Sequence, residues 1–434
     1  MRVFLSTVWT AVALFGSLSF AQPPVLPEGL RSLMSYEQQV NRNIDETRVQ
    51  ALTNNQNKKF APESGKWFQV KSYWVEAETV FLFSTQTSLS QAFTSDVGNK
   101  KYVLFLVHPE SEDFYANFLR DQKPGPLFHA LATSSSRTVL VSPEGRPDVF
   151  FFAKLSLNKE IGGVVRTIPK GEIARSVGTT NVLISSKSYI GRDFDFLLET
   201  VGVMPKGMER GGFLIREIPQ DVISGRSQLL PMFSLFTRQE STGKSPFELM
   251  IQKTKREPLE FIRDEILRPF AKLWLDVTVK NGIAIEAHGQ NFLMEISDGL
   301  PTGKFVFRDF GGFNLDLHYR GKKGFPSLEL PALTNLAEDY HQKFHATAIR
   351  QSLFNYFEAG VLYGLADEAE RFQSGISYKR LTFEFRKILS QEAQSYGMIY
   401  SPNDAMYMSL EDLVMSARRQ MPPRIAPLCS RVAL

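Results

Sequence analysis

The chain is short of the residues that mark several common protein classes. Its 434 residues include a single cysteine, Cys429, so no intramolecular disulfide can form and no four-thiolate iron–sulfur cluster can be held. That thiol sits in a Pro-rich tail and reads as a spectator. Neither sign of charge dominates: 50 Lys and Arg against 46 Asp and Glu leave a formal net charge of +4. With no Lys/Arg block either, nothing selects nucleic acid as a partner. Past the N-terminus no stretch approaches the roughly 20 uninterrupted apolar residues of a membrane span, so none is expected. A GxxxxGK[ST] segment and a Gly-rich phosphate loop are both missing. What is present, 43% hydrophobic and 22% charged residues, is a globular composition. The length suits two to three packed units by the usual domain size of about 100 to 200 residues.

At the N-terminus Arg2 precedes an apolar run from about Val8 to Phe20, and Ser19 and Ala21 are the small residues that a cut after Ala21 requires. The pattern predicts a signal peptide over 1–21 and an exported protein, periplasmic or secreted, or a cytoplasmic one if the leader is not cleaved. A buried N-terminal helix is the alternative. Residues 22–130 read as an N-terminal α/β region, with a helical stretch near Tyr36 to Ala51 and strand-like runs between Trp67 and His108. Residues 131–245 form a central β-rich region of short runs and turn signals. Residues 246–434 read as helix-rich, and Pro269 is expected to kink or break the helix that begins near Pro246. From Leu333 on, Leu336, Tyr340, Phe344, Ile349, Leu353 and Phe357 recur at helical spacing. The class is α+β.

Two hairpins carry chemistry. In SSSRTVLVSPEGRPDVFFFAKLSL a turn centred near Gly145 and Arg146 would place Arg137 directly opposite Lys154. Like charges so paired are unfavourable unless an anion lies between them. Arg166 adds a third cation, and Ser135 and Thr138 add hydroxyls, a set suited to a triphosphate. Solvated surface cations on a slipped register remain the alternative. In IEAHGQNFLMEISDGLPTGKFVFRDFGG a turn centred at Leu300 and Pro301 would bring Asn291 opposite Asp309, with Glu286, His288 and Gln290 just upstream and Gly311 and Gly312 letting the backbone turn away. An amide oxygen and a carboxylate are hard ligands of the kind Mg²⁺ accepts beside phosphate. A hairpin end that is polar because it faces water would look the same. The Asn and the DFG echo the Mg²⁺-binding pair of protein kinases, but HGQN holds no aspartate base.

Taken in order, S-x-R-T at Ser135–Thr138, K-L-S-L at Lys154–Leu157 with Arg166 downstream, E-A-H-G-Q-N at Glu286–Asn291 and R-D-F-G-G at Arg308–Gly312 closely resemble the NRPS-independent siderophore synthetases, the IucA/IucC family. The resemblance covers roughly residues 100–360. It implies a cupped-hand fold: an N-terminal α/β part, a central antiparallel sheet that carries the nucleotide site, and a helical C-terminal part. It also implies a ligase that uses ATP and Mg²⁺ to adenylate a carboxylate of citrate or a similar acid, then lets an amine, hydroxylamine or alcohol displace AMP.

By matching position, Ser135, Arg137, Thr138, Lys154 and Arg166 would hold phosphates and the adenylate. His288, Gln290 and Asn291 would line the nucleotide and metal site, and Glu286 and Asp309 would be carboxylates near Mg²⁺. Arg137, Lys154, Arg166 and His288 are the catalytic candidates; Glu286, Asn291 and Asp309 are the metal candidates. The implied partners are a polycarboxylate and an amine or hydroxylamine, with a homodimer as an assembly option. Two departures stand out. The family's upstream His-Pro-x-His-Pro-x-x-Lys segment is missing, and His108-Pro109 stands where the family has His-Pro-Trp-Gln, with Glu110 and Ser111 replacing Trp and Gln. These and the leader support a second function, an exported non-catalytic protein of the same fold that binds a polycarboxylate or ferric siderophore. Glu338, His341 and His345 share one helix face, but zinc lacks a fourth ligand there. His129 and His318 have no role assigned.

Overall fold

The computed structural model describes residues 22–43, 58–161, 164–239, 242–326, 344, 349–371 and 375–395. The leader, the cluster at Glu338, His341 and His345, and Cys429 lie outside them. Two compact units emerge, Met1–Asn181 with Leu197–Leu229, and Val182–Phe196 with Leu230–Leu434. The chain therefore passes between units after Asn181, after Phe196 and after Leu229.

In the first unit the β-branched and aromatic runs form β1 (Phe68–Glu76), β2 (Val80–Ser84), β3 (Thr94–Val97), β4 (Lys100–Val107), β5 (Lys123–Pro124), β6 (Phe128–Ala132), β7 (Thr138–Pro143) and β8 (Phe151–Leu155). With Glu199–Pro205 and Phe213–Glu217 they make one ten-stranded antiparallel sheet. Its order is β2, Glu199–Pro205, Phe213–Glu217, β8, β7, β6, β1, β4, β3, with β5 also on β1. The first residues of β1 pair with β6 and the rest with β4. β6 spans residue 130, so this sheet runs through both the N-terminal and the central stretches of the sequence.

β7 and β8 are buried along their whole length, which is why they read as unbroken apolar runs rather than alternating ones. Val139, Val141, Ala153, Leu155, Val201 and Phe213 enter a large core with Phe93, Phe105 and Tyr115. Met204 and Leu214 pack instead against Ile168, Ile173 and Val177, where the helix Lys170–Ser186 begins. Gly202 permits that approach: a Cβ there would lie 2.4 Å from Ile173 Cγ2. Across neighbouring strands Arg216 and Glu199 form a buried ion pair at 2.6 Å. The helix Glu28–Asn43 begins earlier than the expected Tyr36. It is fastened to the β6–β7 turn by Gln38 Nε2 on the Ala132 carbonyl at 3.1 Å and by the Ser134 hydroxyl on Glu37 at 2.8 Å.

The second unit sets Phe194–Phe196 parallel to Leu300–Phe307, which pairs antiparallel with Phe292–Ser297. Helices supply the rest. Ser245 caps Pro246–Thr254 by accepting from the Glu248 amide. From Pro258 a single helical rod runs to Lys280, so Pro269 does not break it. Residues Arg263–Leu267 widen into a π-turn just before the proline. This relieves the clash of its ring with the carbonyl four residues back and absorbs the missing N–H. Phe270 on this rod stacks on Phe357 at 3.7 Å, and Phe292, Phe307 and Phe385 complete an aromatic core. Phe344, Leu353 and Phe357 are buried as their spacing predicts, whereas Leu336 and Tyr340 lie outside the described residues.

Candidate active site

In the first unit the residues of SSSRT close the turn between β6 and β7. Thr133 Oγ1 donates to the Thr138 carbonyl at 2.8 Å, and Ser135 Oγ accepts from the Thr138 amide at 3.0 Å. Ser136 takes a left-handed φ of 63°. Ser135 thus shapes the turn that presents Arg137. The pairing of β7 with β8 puts Thr138, not Arg137, opposite Lys154. The expected two-residue turn is replaced by a longer loop. It folds in two steps, Arg146 N to Pro143 O at 3.0 Å and Val149 N to Arg146 O at 3.1 Å, and this shifts the cross-strand partner by one residue.

The cations nevertheless gather. Lys154 projects from the face of β8 that the helix Lys170–Ser186 covers, and its Nζ meets Glu172 Oε1 at 2.9 Å. The same oxygen lies 4.0 Å from Arg137 Nη2. Arg137 Nη1 donates to the Arg166 carbonyl at 3.0 Å, and the Arg166 guanidinium donates to the Ile161 carbonyl. Burial, then the charge of Arg137, pulls the Arg166 pKa below its ordinary value. The side chain of Lys154 is 4% exposed and that of Arg137 15%, so this positive charge is largely withheld from water. His108-Pro109-Glu110-Ser111 sits beside the continuation of β8: the Ser111 hydroxyl donates to the Ser156 carbonyl and accepts from the Asn158 amide, and Glu110 pairs with Lys159 at 3.5 Å.

In the second unit the hairpin turns at Asp298-Gly299, not at Leu300-Pro301. Both residues have positive φ, and Ser297 pairs with Leu300. Asp-Gly is the preferred pair for this tight turn. Two extra residues around Gly303 then shift the register, so that Phe292 faces Phe307 and the Arg308 amide, not Asp309, meets the Asn291 carbonyl at 3.1 Å. Arg308 is buried and clamps the Gln290 carbonyl with Nε and Nη2 at 2.9 and 2.6 Å.

Glu286 is the hub of the arrangement. Asn291 Nδ2 donates to its Oε2 at 3.0 Å, and His288 Nε2 lies 3.8 Å from its Oε1. The Gln290 amide donates to His288 Nδ1 at 3.2 Å, which assigns the neutral imidazole's proton to Nε2, the nitrogen that faces Glu286. The Tyr356 ring meets His288 edge-on at 5.5 Å; burial, then the Glu286 charge and hydrogen bond, push its hydroxyl up to about 12. A Cβ on Gly312 would fall 2.0 Å from Glu286 Oε2, so a side chain there would displace the Glu286 carboxylate from its present position. Asp309 sits half-buried at φ 69°, a left-handed conformation that Asp tolerates better than most residues.

Glu286 therefore gathers His288 and Asn291, and Glu172 gathers Arg137 and Lys154, with Arg166 reached only through its carbonyl on Arg137. Two participants escape sequence reasoning. Glu172 has only a weak signal, an acid in the first turn of a helix that starts after Pro169, and Tyr356 has none.

Similarity to known proteins follows the same division. Residues 47–237 match the IucA / IucC family, and residues 272–372 match a family described as ferric iron reductase FhuF-like transporter. That IucA/IucC match spans somewhat under half of the chain. The rhizobactin siderophore biosynthesis protein RhbC of Rhizobium meliloti (strain 1021) is 24% identical over an alignment of 307 positions that covers 61% of this chain. The chain spans half the length of that relative. Among solved structures, the petrobactin biosynthesis protein AsbB of Bacillus anthracis str. Sterne superposes with a TM-score of 0.59 at 19% identity, over 84% of this chain and 65% of that one. Aerobactin synthetase IucC from a hypervirulent pathotype of Klebsiella pneumoniae gives 0.58 at 15% identity, over 86% and 74%. ATP-bound aerobactin synthetase IucA of the same source gives 0.55 at 14%, over 85% and 74%. The fold is accordingly the α+β fold of the siderophore synthetases. The FhuF-like stretch holds the Glu286 cluster and Tyr356, and it contains no cysteine.

Proposed function

We propose that the chain is an ATP- and Mg²⁺-dependent ligase of the siderophore-synthetase type. It adenylates a carboxylate of citrate or a similar acid and passes the acyl group to an amine, hydroxylamine or alcohol. The observation that carries this reading is the meeting of largely buried Arg137 and Lys154 at Glu172, with half-buried Arg166 beside Arg137. Buried like charges are unfavourable by themselves and become favourable when a polyanion joins them. Arg137 and Arg166 offer forked donors to phosphate oxygens, Lys154 a point charge, and Thr138 a hydroxyl at the mouth of β7. As the carboxylate attacks the α-phosphorus and pyrophosphate departs, such fixed cations offset the charge that builds on the phosphates.

The donor set in the second unit fits magnesium in a limited way. Glu286 and Asn291 supply hard oxygens, with Asp309 as the third candidate. Among the described residues no group of three or more His, Cys, Asp and Glu side chains is placed to hold a metal. An ion here would take most of its remaining ligands from water, the usual habit of Mg²⁺, and would supply charge neutralisation. With Nδ1 accepting from the Gln290 amide, His288 presents Nε2 as a donor rather than Nδ1 as a base.

Calorimetry with Mg·ATP and with citrate tests the proposal. The protein should bind the nucleotide, and Lys154→Ala should weaken that binding by about 100-fold, the scale of losing one charged, buried hydrogen-bonding partner. AMP release with a panel of polyacids should then identify the substrate. Binding of citrate alone, with no response to nucleotide and a mature chain that starts at Gln22, would instead support the exported binding protein.

A further inference from the structure

Glu172 stands where a ligand's oxygen would stand. Its Oε1 is 2.9 Å from Lys154 Nζ and 4.0 Å from Arg137 Nη2, so one carboxylate oxygen bridges two of the three cations. The residue is held there by the fold. It lies in the first turn of the helix Lys170–Ser186, whose start is fixed by the Glu172 and Ile173 amides on the Pro169 carbonyl and by the Ile168 amide on the Ser156 hydroxyl. The helix itself is seated on the sheet through Ile173, Val177, Leu214 and the gap left by Gly202. Glu172 is therefore a tethered anion with a high local concentration at the cations. Arg166, by contrast, uses its guanidinium on a backbone carbonyl and is repelled by Arg137.

We propose that Glu172 is a specificity-determining residue: a resident counter-ion that an incoming anion must displace, and which only a multiply charged ligand displaces. A singly charged carboxylate or a chloride ion replaces one ion pair with another of equal charge and gains nothing against a tethered competitor. A pyrophosphate or triphosphate engages Arg166 as well as Lys154 and Arg137, and so exceeds what Glu172 provides. The inference rests on the reading of this cluster as the phosphate-binding site.

The test compares wild type with Glu172→Gln, with pyrophosphate and acetate as probes in calorimetry and thermal melting. Removing the carboxylate should lower the melting temperature without ligand, because Lys154 stays buried. At the same time it should tighten pyrophosphate by roughly tenfold, the scale of a hydrogen bond to a charged group. Acetate, without measurable effect on wild type, should now stabilise the variant. Pyrophosphate binding that is unchanged or weaker in Glu172→Gln, while wild type binds it, overturns this inference and leaves the phosphate site standing. Failure of both proteins to bind overturns the two together. Should Glu172→Gln not fold, Glu172→Asp keeps the charge but shortens its reach; it should bind pyrophosphate more tightly than wild type, and equal or weaker binding again overturns the role.

Discussion

His108 is fully buried between the edges of Phe60 and Phe68, and its Nδ1 accepts from the Glu110 amide. Burial holds its pKa down to about 4, against an ordinary value of 6.5. The folded protein therefore keeps the ring neutral while the unfolded chain takes up a proton below pH 6.5. Its contribution is whole above that pH and is lost as pH falls towards 4, to a total of about 3 kcal/mol. His108→Gln should flatten the fall in urea midpoint between pH 7 and pH 4.5; equal slopes in both proteins would refute the assignment. His129, whose pKa is also lowered by burial, remains in both and cancels. At this scale the sequence singles out the candidate residues themselves, since Arg137, Lys154, Arg166, Glu286, His288 and Asn291 stand in recognisable strings. It does not identify Glu172 or Tyr356. Glu172 reaches Lys154 through helix-on-sheet packing, and Tyr356 reaches Glu286 from a helix some 70 residues away in the chain, contacts that no local pattern encodes.

Elements were legible in kind and misjudged in register. Both hairpins were recognisable from apolar runs about Gly-containing turns, yet each pairing differs by one from a symmetric reading, since a loop of odd size and a two-residue bulge move the symmetry point. The rod through Pro269 likewise depends on a π-turn that sequence periodicity does not reveal. Close packing of the helix Lys170–Ser186 on its sheet is testable here. Gly202→Ala should destabilise the first unit by about 1–3 kcal/mol through overpacking against Ile173. Adding Ile173→Ala should recover part of that loss in a double-mutant cycle. Strict additivity of the two changes in chemical denaturation would show that Gly202 is not a packing requirement.

For the whole molecule, the class and the order of β-rich then helix-rich chain were readable, because long apolar runs and helical spacing survive any register error. The continuity of one ten-stranded sheet across residues 68–217 was not, since its strands pair far apart in sequence. Two compact units predict local rather than uniform loosening when one core is damaged. Phe270→Ala removes a ring stacked on Phe357 and should cost about 3–5 kcal/mol. Hydrogen exchange should rise in 258–280 and 378–395 while 128–155 stays protected; a rise of equal size throughout would contradict the division.

The three passages of the chain between units have a consequence for anyone wishing to dissect it. Severing the polypeptide after Asn181 would strip the larger sheet of Glu199–Pro205 and Phe213–Glu217, leaving β8 and β2 with bare rows of amides and carbonyls, an invitation to aggregate. The remaining piece would begin with a short segment, Val182–Phe196, that belongs to the other unit. Neither half is a portable module, and the two chemistries must be inherited, expressed and engineered as one piece.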